Sequence, residues 1–529
     1  MTSIVSLSRL VDAGRGHVGA RRFSAPVLLI TPPSAFLLDE RVFMSLGILK
    51  VAAVLERAKC PVELLDLSGI ENFVEVVGEH IGNSNARFAA LTATTPQLPA
   101  AVKIAERIRA VRPDVRIILG GPHVTLVHAA VKLEKRRNCI ARAHRALATL
   151  ESTFDVLVSG DGEMAIFDAL EEKPPTLIDA DDPKGGLFMN DSSYDASPYP
   201  ARHLVDVSTY HYAIEGHRAT SLIAQLGCPF GCGFCGGRNS KSLRLIRTRS
   251  TQSIVNEIAM LHRTYGFTGF MFYDDELNVS KSLVELMNAI SDLQSRLGVE
   301  FRLRGFVKSE LFTDAQAEAM YRAGFRWILC GFEAASPRIL ENINKRATLE
   351  DNTRVVEIAR RHGLKVKALM SIGHPGESDD SVRAVQKWLI DVKPDDFDCT
   401  VITTYPGTPY YDEAVEHPTL KDVWTYTCKR SGDRLHAYDV DFTRVAEYYK
   451  GDPNGGYSSY VFTDHLTGEE LVKLRDWVER SVREELRIPF NPGNPAIRYE
   501  HSMGQGGNAL PGFVLRTSEP AVVAGASGG

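Results

Sequence analysis

The sequence predicts an α/β protein in two parts. An N-terminal Rossmann-like, doubly wound sheet is followed, after a linker, by a partial (β/α)6 barrel and a small, mainly helical C-terminal region. Three observations predict this. From residue 26 onward, short continuous apolar runs alternate with amphipathic stretches of helical period, the pattern of parallel strands buried on both faces. The alternation breaks over residues 172–220, which are rich in Pro, Asp, Gly and Ser, as a linker would be. It then resumes over residues 221–412 in six strand–helix units of roughly 30 residues each.

Residues 1–25 carry Arg9, Arg15, Arg21 and Arg22 against Asp12 alone; they read as a disordered leader with a faint likeness to an organellar transit peptide. Pro26–Thr31 is the first strand, Gly47–Lys59 a helix, Val62–Leu67 and Phe88–Ala93 the next strands, and Ala100–Val111 a helix. Arg116–Leu119 runs into Gly120-Gly121-Pro122-His123, and Asp155–Ser159 into Gly160-Asp161-Gly162-Glu163. A ligand of this unit, residues 26–171, belongs beyond the strand C-termini. The basic stretch Lys132–Arg145 reads as a solvated insertion. In the second unit the strands are Ser221–Leu226, Gly269–Tyr273, Glu300–Val307, Trp327–Phe332, Lys365–Ile372 and Phe397–Thr403. The helices are Gln252–Tyr265, Leu283–Leu297, Asp314–Ala323, Leu349–His362 and Ser381–Val392. Thr313 is the expected N-cap of the third helix and Asp379 or Asp380 of the last, because their side-chain oxygens can accept first-turn N–H groups. Within the C-terminal region, residues 413–500, Thr467–Glu485 is a charged amphipathic helix; residues 501–529 read as a disordered tail.

Composition narrows the function. The chain has 61 Lys and Arg against 66 Asp and Glu, a formal net charge of −5 over 529 residues, which argues against a general nucleic-acid or anionic-membrane binder. No apolar run approaches the ~18 residues of a membrane span. Eight cysteines are too few for a disulfide scaffold and point to a reducing, cytoplasmic setting.

Three of those cysteines stand together in CPFGCGFC, as Cys228, Cys232 and Cys235, just after the first barrel strand. On composition alone this spacing arises by chance about 0.002 times in such a chain. Three thiolates on one tight loop can bind three irons of a 4Fe–4S cube and leave the fourth open. Structural zinc would want a fourth ligand, and no further Cys or His lies nearby in sequence. FYDDELN (Phe272–Asn278), GFEAAS (Gly331–Ser336), SIGHPGES (Ser371–Ser378) and TTYPGTPYY (Thr403–Tyr411) end later strands. Each alone has a plain reading as a cap, a solvated strand end or a turn. At successive strand ends beside the cysteine loop they form one constellation.

This constellation resembles the radical S-adenosylmethionine superfamily, over nearly all of residues 221–412. The resemblance implies that Cys228, Cys232 and Cys235 hold the cluster and that its open iron chelates the amino and carboxylate groups of S-adenosylmethionine. An electron from the cluster then cleaves that cofactor to a 5′-deoxyadenosyl radical. It further implies that Asp274 and Asp275 face the methionine amino group, that Glu333 lies at the cofactor's polar end, and that Gly373 and Pro375 form the turn beside adenosine. Arg238 could pair with the cofactor carboxylate or the cluster. The family's arginine on the third strand has two competitors here, Arg304 and Lys308. The preceding sheet, with SLGILKVAAVLERA (Ser45–Ala58), GGPHVT (Gly120–Thr125) and GDGE (Gly160–Glu163), is similar to the cobalamin-binding subgroup. That likeness implies a corrinoid between sheet and barrel, with Thr94, Thr95, Gly120, Gly121, Gly160 and Glu163 on the loops that touch it. The subgroup that ligates cobalt through histidine carries D-x-H-x-x-G after the first strand. This chain reads TPPSAFLLDE there, and His123 follows a different strand, so no cobalt-ligating histidine is expected.

The function this implies is methylation of an unactivated carbon of a small molecule. One S-adenosylmethionine would methylate reduced cobalt and another would generate the radical that abstracts substrate hydrogen. An external electron donor such as flavodoxin or ferredoxin is implied as a partner. The alternative is a non-methylating member of the subgroup, catalysing cyclisation, ring contraction or oxidation. A methylthiotransferase would carry three extra N-terminal cluster cysteines, and only Cys60 and Cys139 precede Cys228. A cofactor sensor without turnover would not need the motifs that chelate S-adenosylmethionine.

Overall fold

The computed structural model describes residues 25–34, 40–445, 458–489 and 515–517; the expected leader up to residue 24, and all of the tail but 515–517, lie outside the described residues. The first sheet contains β1 (Val27–Thr31), β2 (Val62–Asp66), β3 (Phe88–Thr92), β4 (Arg116–Gly120), β5 (Val156–Gly160) and β6 (Leu177–Ala180). These pair in parallel in the order β2-β1-β3-β4-β5-β6. β1 sits inside the sheet with every residue buried, which is why its sequence is apolar without alternation. The strand order reverses between β1 and β3, so the ligand crevice of this sheet opens at their C-terminal ends.

A second sheet is built from β7 (Ala213–Ile214) and β8 (His217–Leu222). After the short β9 (Gln225–Leu226) and β10 (Arg247–Thr248), it continues with β11 (Gly269–Phe272), β12 (Arg302–Phe306), β13 (Phe325–Glu333), β14 (Lys365–Ile372) and β15 (Asp396–Val401). β8 and β11 to β15 are six parallel strands in sequence order, and β8 and β15 do not pair, so the barrel is open. Apolar residues of the strands and of the helices Thr251–Tyr265, Leu283–Leu297 and Asp314–Ala323 form one core.

Several expectations are corrected. The single strand Ser221–Leu226 is two: β8 stops at Leu222, and β9 pairs antiparallel with β10, pinching together the ends of the loop that carries the three cysteines. The stretch 172–220 is more regular than a linker, because β6 belongs to the first sheet. Lys132–Arg145 is not a solvated insertion. It spans the helices Pro122–Arg136 and Arg142–Thr153; Arg142 is buried, stacked 3.5 Å over Tyr411 and 4.5 Å over Trp424. The region after the barrel is not mainly helical. β16 (Val415–Glu416), β17 (Val423–Thr427), β18 (Arg434–Tyr438) and β19 (Val461–Thr463) form a four-stranded antiparallel sheet. Its β17, VWTYT, has the β-branched and aromatic character that favours a pleated surface. The helix Gly468–Leu486 covers the open edge at β15: Arg475 Nε donates to Cys399 O at 2.9 Å, and Cys399 N donates to Glu479 Oε1 at 2.6 Å. Covering a free strand edge in this way blocks pairing with other chains. Within the expected tail, β20 (Leu515–Thr517) is ordered and pairs antiparallel with β2.

Candidate functional site

The cysteine loop folds over the C-terminal mouth of the half-barrel. Cys228, Cys232 and Cys235 line one cavity of about 250 Å³, together with Asp275, Glu276, Lys308, Glu333 and Lys345. The loop's glycines are required by close contact. A Cβ on Gly233 would stand 2.3 Å from the Tyr410 ring, and one on Gly231 would stand 2.0 Å from Arg238 Nη1. That Nη1 is buried without a hydrogen-bond partner, on a side chain that lines the same cavity. Burial pushes the Cys228 thiol up to about 11 and raises that of Cys232, so binding iron releases their protons. Three thiols around one cavity, with an unpartnered guanidinium nitrogen of half-buried Arg238 beside them, fit a negatively charged 4Fe–4S cluster.

The opposite wall is polar and buried. β13 shifts register between Gly331 and Glu333, and Glu333 takes φ 66°, a left-handed conformation rare for its type. Its carboxylate is thereby shared: Lys345 Nζ donates to Oε1 at 3.1 Å and Ser371 Oγ to Oε2 at 2.8 Å. Burial opposes the charge on Lys345, but Glu333 and Cys232 outweigh it and hold the ammonium above its ordinary range. Lys308 is buried too, its Nζ 3.0 Å from Lys345 O. Ser371 Oγ also lies 2.8 Å from His374 Nε2, and burial, then Lys345, pushes His374 down to about 3, leaving it neutral. Carboxylates and ammonium groups lining one cavity with the three thiols fit the zwitterionic methionine end of S-adenosylmethionine.

The predicted residues separate on inspection. Asp275 and Glu333 line the thiol cavity; Asp274 does not. Asp274 accepts backbone N–H bonds from Ala224 at 3.1 Å and Gln225 at 2.5 Å, bracing the break between β8 and β9, and burial pushes it up to about 7. Glu276, one residue outside the expected pair, takes a place in the cavity and is likewise pushed up to about 7. Gly373 turns at φ 90° beside Val461 of β19, and Pro375 O accepts from Asn342 Nδ2 at 2.8 Å; neither is among the residues lining the thiol cavity. Lys345 had no sequence signal, since it follows Glu333 by twelve positions through a short helix. Of the two competing cations, Lys308 lines the cavity and Arg304 does not.

At the first sheet, Thr94, Thr95, Gly120, Gly121 and Gly160 all lie at the C-terminal ends of β3, β4 and β5. Gly121 turns at φ 98°, where a Cβ would meet Thr92 Oγ1 at 2.7 Å. Gly160 turns at φ 91°, where a Cβ would meet the Ala180 backbone at 2.5 Å. These turns leave bare backbone at the strand ends, where the strand order reverses and a ligand crevice opens. Thr94 is exposed and caps the turn Thr95–Gln97, whereas Thr95 is buried with its Oγ1 3.0 Å from His123 Nδ1. Glu163 stands apart, in a second cavity with Lys50, Tyr194 and Arg249. His123 is 2% exposed and burial lowers it to about 4, as for a neutral core histidine. The sheet and the cysteine loop touch directly. Asp181, just beyond β6, accepts from Ser240 Oγ at 2.6 Å and Ser242 N at 2.7 Å, Arg247 Nη1 pairs with Asp161 at 2.6 Å, and Leu126 packs on Gly236.

Comparison with known proteins agrees with the fold. Residues 40–161 match the B12 binding domain family and residues 222–389 the Radical SAM superfamily. An uncharacterized methyltransferase of Pyrococcus horikoshii is 25% identical over 411 residues, 74% of this chain and 84% of the relative. The anaerobic magnesium-protoporphyrin IX monomethyl ester cyclase of Rubrivivax gelatinosus is 23% identical over 438 residues, 78% of this chain and 75% of that one. Among solved structures, the radical S-adenosylmethionine methyltransferase TsrM of Kitasatospora setae, with cobalamin and a 4Fe–4S cluster bound, superposes with a TM-score of 0.57. Its identity is 16%, over 87% of this chain and 99% of that chain, so the likeness is one of fold. Among the described residues no helix is long and apolar enough to cross a membrane.

Proposed function

We propose, from the premise that this chain belongs to the cobalamin-dependent radical S-adenosylmethionine enzymes, that it is a methyltransferase acting on an unactivated carbon of a small molecule. One observation carries the reading. The cavity of the three thiols lies against the strand ends of the B12-binding sheet, joined to it through Asp181, Ser240 and Ser242. When bound, the cluster and S-adenosylmethionine supply a carbon radical that can abstract hydrogen, and the corrinoid supplies a carrier for the methyl group.

The chain's own part is to hold, orient and exclude water. Cys228, Cys232 and Cys235 anchor the cluster; Asp275, Glu276, Glu333 and Lys345 orient the polar end of S-adenosylmethionine; and the turns at Thr94, Gly120, Gly121 and Gly160 cradle the corrin. Gly373 and Pro375 shape the strand-end turn from the side of β19, and Asp274 positions the loop entrance rather than touching cofactor. Glu163 acts at the margin through its own cavity. His123, 2% exposed and bonded through Nδ1 to Thr95 Oγ1, is held as a core histidine and would not be the residue that ligates a corrinoid. The kinship with a cyclase over 78% of the chain favours a second reading, in which the same radical closes a ring without methyl transfer.

A low-potential donor such as flavodoxin or ferredoxin supplies electrons, and an oxygen-sensitive cluster together with eight unpaired cysteines suits a cytoplasmic enzyme. The test is product stoichiometry under reductant. Methyl transfer gives 5′-deoxyadenosine and S-adenosylhomocysteine in about equal amounts per methylation, on the division of labour among the cofactors. 5′-Deoxyadenosine with substrate consumption and no S-adenosylhomocysteine replaces it with the non-methylating reading; S-adenosylhomocysteine alone removes the radical role.

A further inference from the structure

Side chains alternate across each barrel strand. On β12, Leu303 and Gly305 are buried toward the helices, while Arg302, Arg304 and Phe306 turn to the inner face of the half-barrel. Met271 of β11 and Trp327 of β13 stand in register with Arg304. Two of the other inward cations are neutralised. Arg302 lies 3.8 Å from Glu215 and 3.2 Å from Glu300, and Lys367 lies 3.1 Å from Asp396 and 2.8 Å from Asp398. The contacts of Arg304 are of another kind. Its guanidinium lies 5.7 Å from the Trp327 ring centroid and close to Tyr212, and its Nε is buried with no hydrogen-bond partner. A guanidinium held on an indole and a phenol keeps its charge available for an anion.

Around it the surface is aromatic. Phe43 meets Tyr212 at 4.7 Å and Tyr273 at 5.2 Å, and Tyr273 meets Phe306 at 6.3 Å. Tyr273 is 50% exposed, its ring open on this face beside Phe43 and Phe306. It directly precedes Asp274, Asp275 and Glu276, and the last two of these line the thiol cavity. We infer that the inner face of the half-barrel is the substrate site and takes a flat aromatic carboxylic acid, its carboxylate on Arg304 and its ring among Trp327, Tyr212, Tyr273 and Phe43. A carboxylate is favoured over a phosphate because one available guanidinium balances one negative charge. The inference rests on the radical-enzyme reading above for the role of the site, not for its chemistry.

The test uses the full-length reconstituted protein and three probes: naphthalene-2-carboxylate, naphthalene-2-carboxamide and 2-naphthyl phosphate, titrated by calorimetry. The acid binds at least about tenfold more tightly than the amide, as a charge-assisted bond to Arg304 requires, and more tightly than the phosphate. Arg304→Gln abolishes the preference for acid over amide, and Trp327→Leu weakens both. Equal binding of acid and amide by the unaltered protein, stronger binding of the phosphate, or a preference that survives Arg304→Gln overturns the assignment. Product stoichiometry in the same samples keeps the two readings apart. Retained acid preference, with 5′-deoxyadenosine formed and a substrate consumed but no S-adenosylhomocysteine, overturns methyl transfer alone, whereas balanced products without acid preference overturn the substrate class alone.

Discussion

At the scale of single residues, burial sets protonation, and two positions make that testable. His123 sits among core side chains with Thr95 on Nδ1 and the Phe442 ring 6.3 Å away. Changing it to Ala leaves the spectrum of bound cob(II)alamin unaltered, and nitrogen hyperfine coupling from a protein imidazole in the unaltered protein would show this wrong. Glu377 is buried beside Ser381 and the backbone N–H of His374, and burial pushes it from 4.5 up to about 7. Its proton is therefore held more tightly in the folded than in the unfolded state. The associated stability is complete below about pH 4.5 and declines as pH rises toward 7, at about 1.4 kcal/mol per unit. Glu377→Gln removes this term. Denaturant unfolding of the variant gains on the unaltered protein between pH 5 and 7.5; a difference that does not change with pH refutes the burial argument.

At the scale of elements, caps decide where helices begin. Thr313 accepts from Gln316 N and completes a capping box, as its position predicts. The helix Asp379–Val392 is capped instead by Ser378, which accepts from Ser381 N; Asp379 and Asp380 fall in its first turn. The physical reason is conformational: the cap residue needs extended backbone, and Ser378 has φ −142°, ψ 169°. Ser378→Ala therefore costs about 1 kcal/mol in thermal or denaturant unfolding, and Asp380→Ala only a few tenths through the helix dipole. Equal losses would return the cap to the aspartate. Both carboxylates were visible in sequence, but three oxygen-bearing residues in a row cannot be ranked without ψ.

At the scale of the whole molecule, cysteine loop and first sheet are braced to each other, and one face of that sheet (Leu29, Leu64, Ile118) belongs to the same continuous core as the barrel residues Phe270 and Ile328. Asp181, 1% exposed, takes three hydrogen bonds from Ser240 and Ser242, so the loop is held by a residue from beyond the expected first unit. Replacing Cys228, Cys232 and Cys235 together by Ala abolishes cluster absorbance and all cleavage of S-adenosylmethionine, while cobalamin is retained by residues 26–171. A triple variant with a full complement of iron refutes the cluster assignment. Loss of cobalamin together with the cluster shows instead that the corrin is held mainly from the barrel side.

The sequence by itself determined what local chemistry encodes. Apolar runs flanked by glycine turns placed the parallel strands within a few residues, because burial on both faces leaves no other pattern. The spacing of Cys228, Cys232 and Cys235 marked the loop proposed to hold the cluster, because three thiolates so close have few other uses. Tertiary structure alone decided which neighbours share a wall. Asp274 and Glu276 differ by two positions in one acidic run, yet backbone N–H groups of Ala224 and Gln225 claim the first and the cavity takes the second. Lys345 reaches Glu333 only because β13 shifts register and turns that glutamate through a left-handed backbone. The burial of Arg142 on Tyr411 and Trp424 depends on partners far away in the chain. Periodicity reports how a segment is buried, but only the assembled fold determines against what.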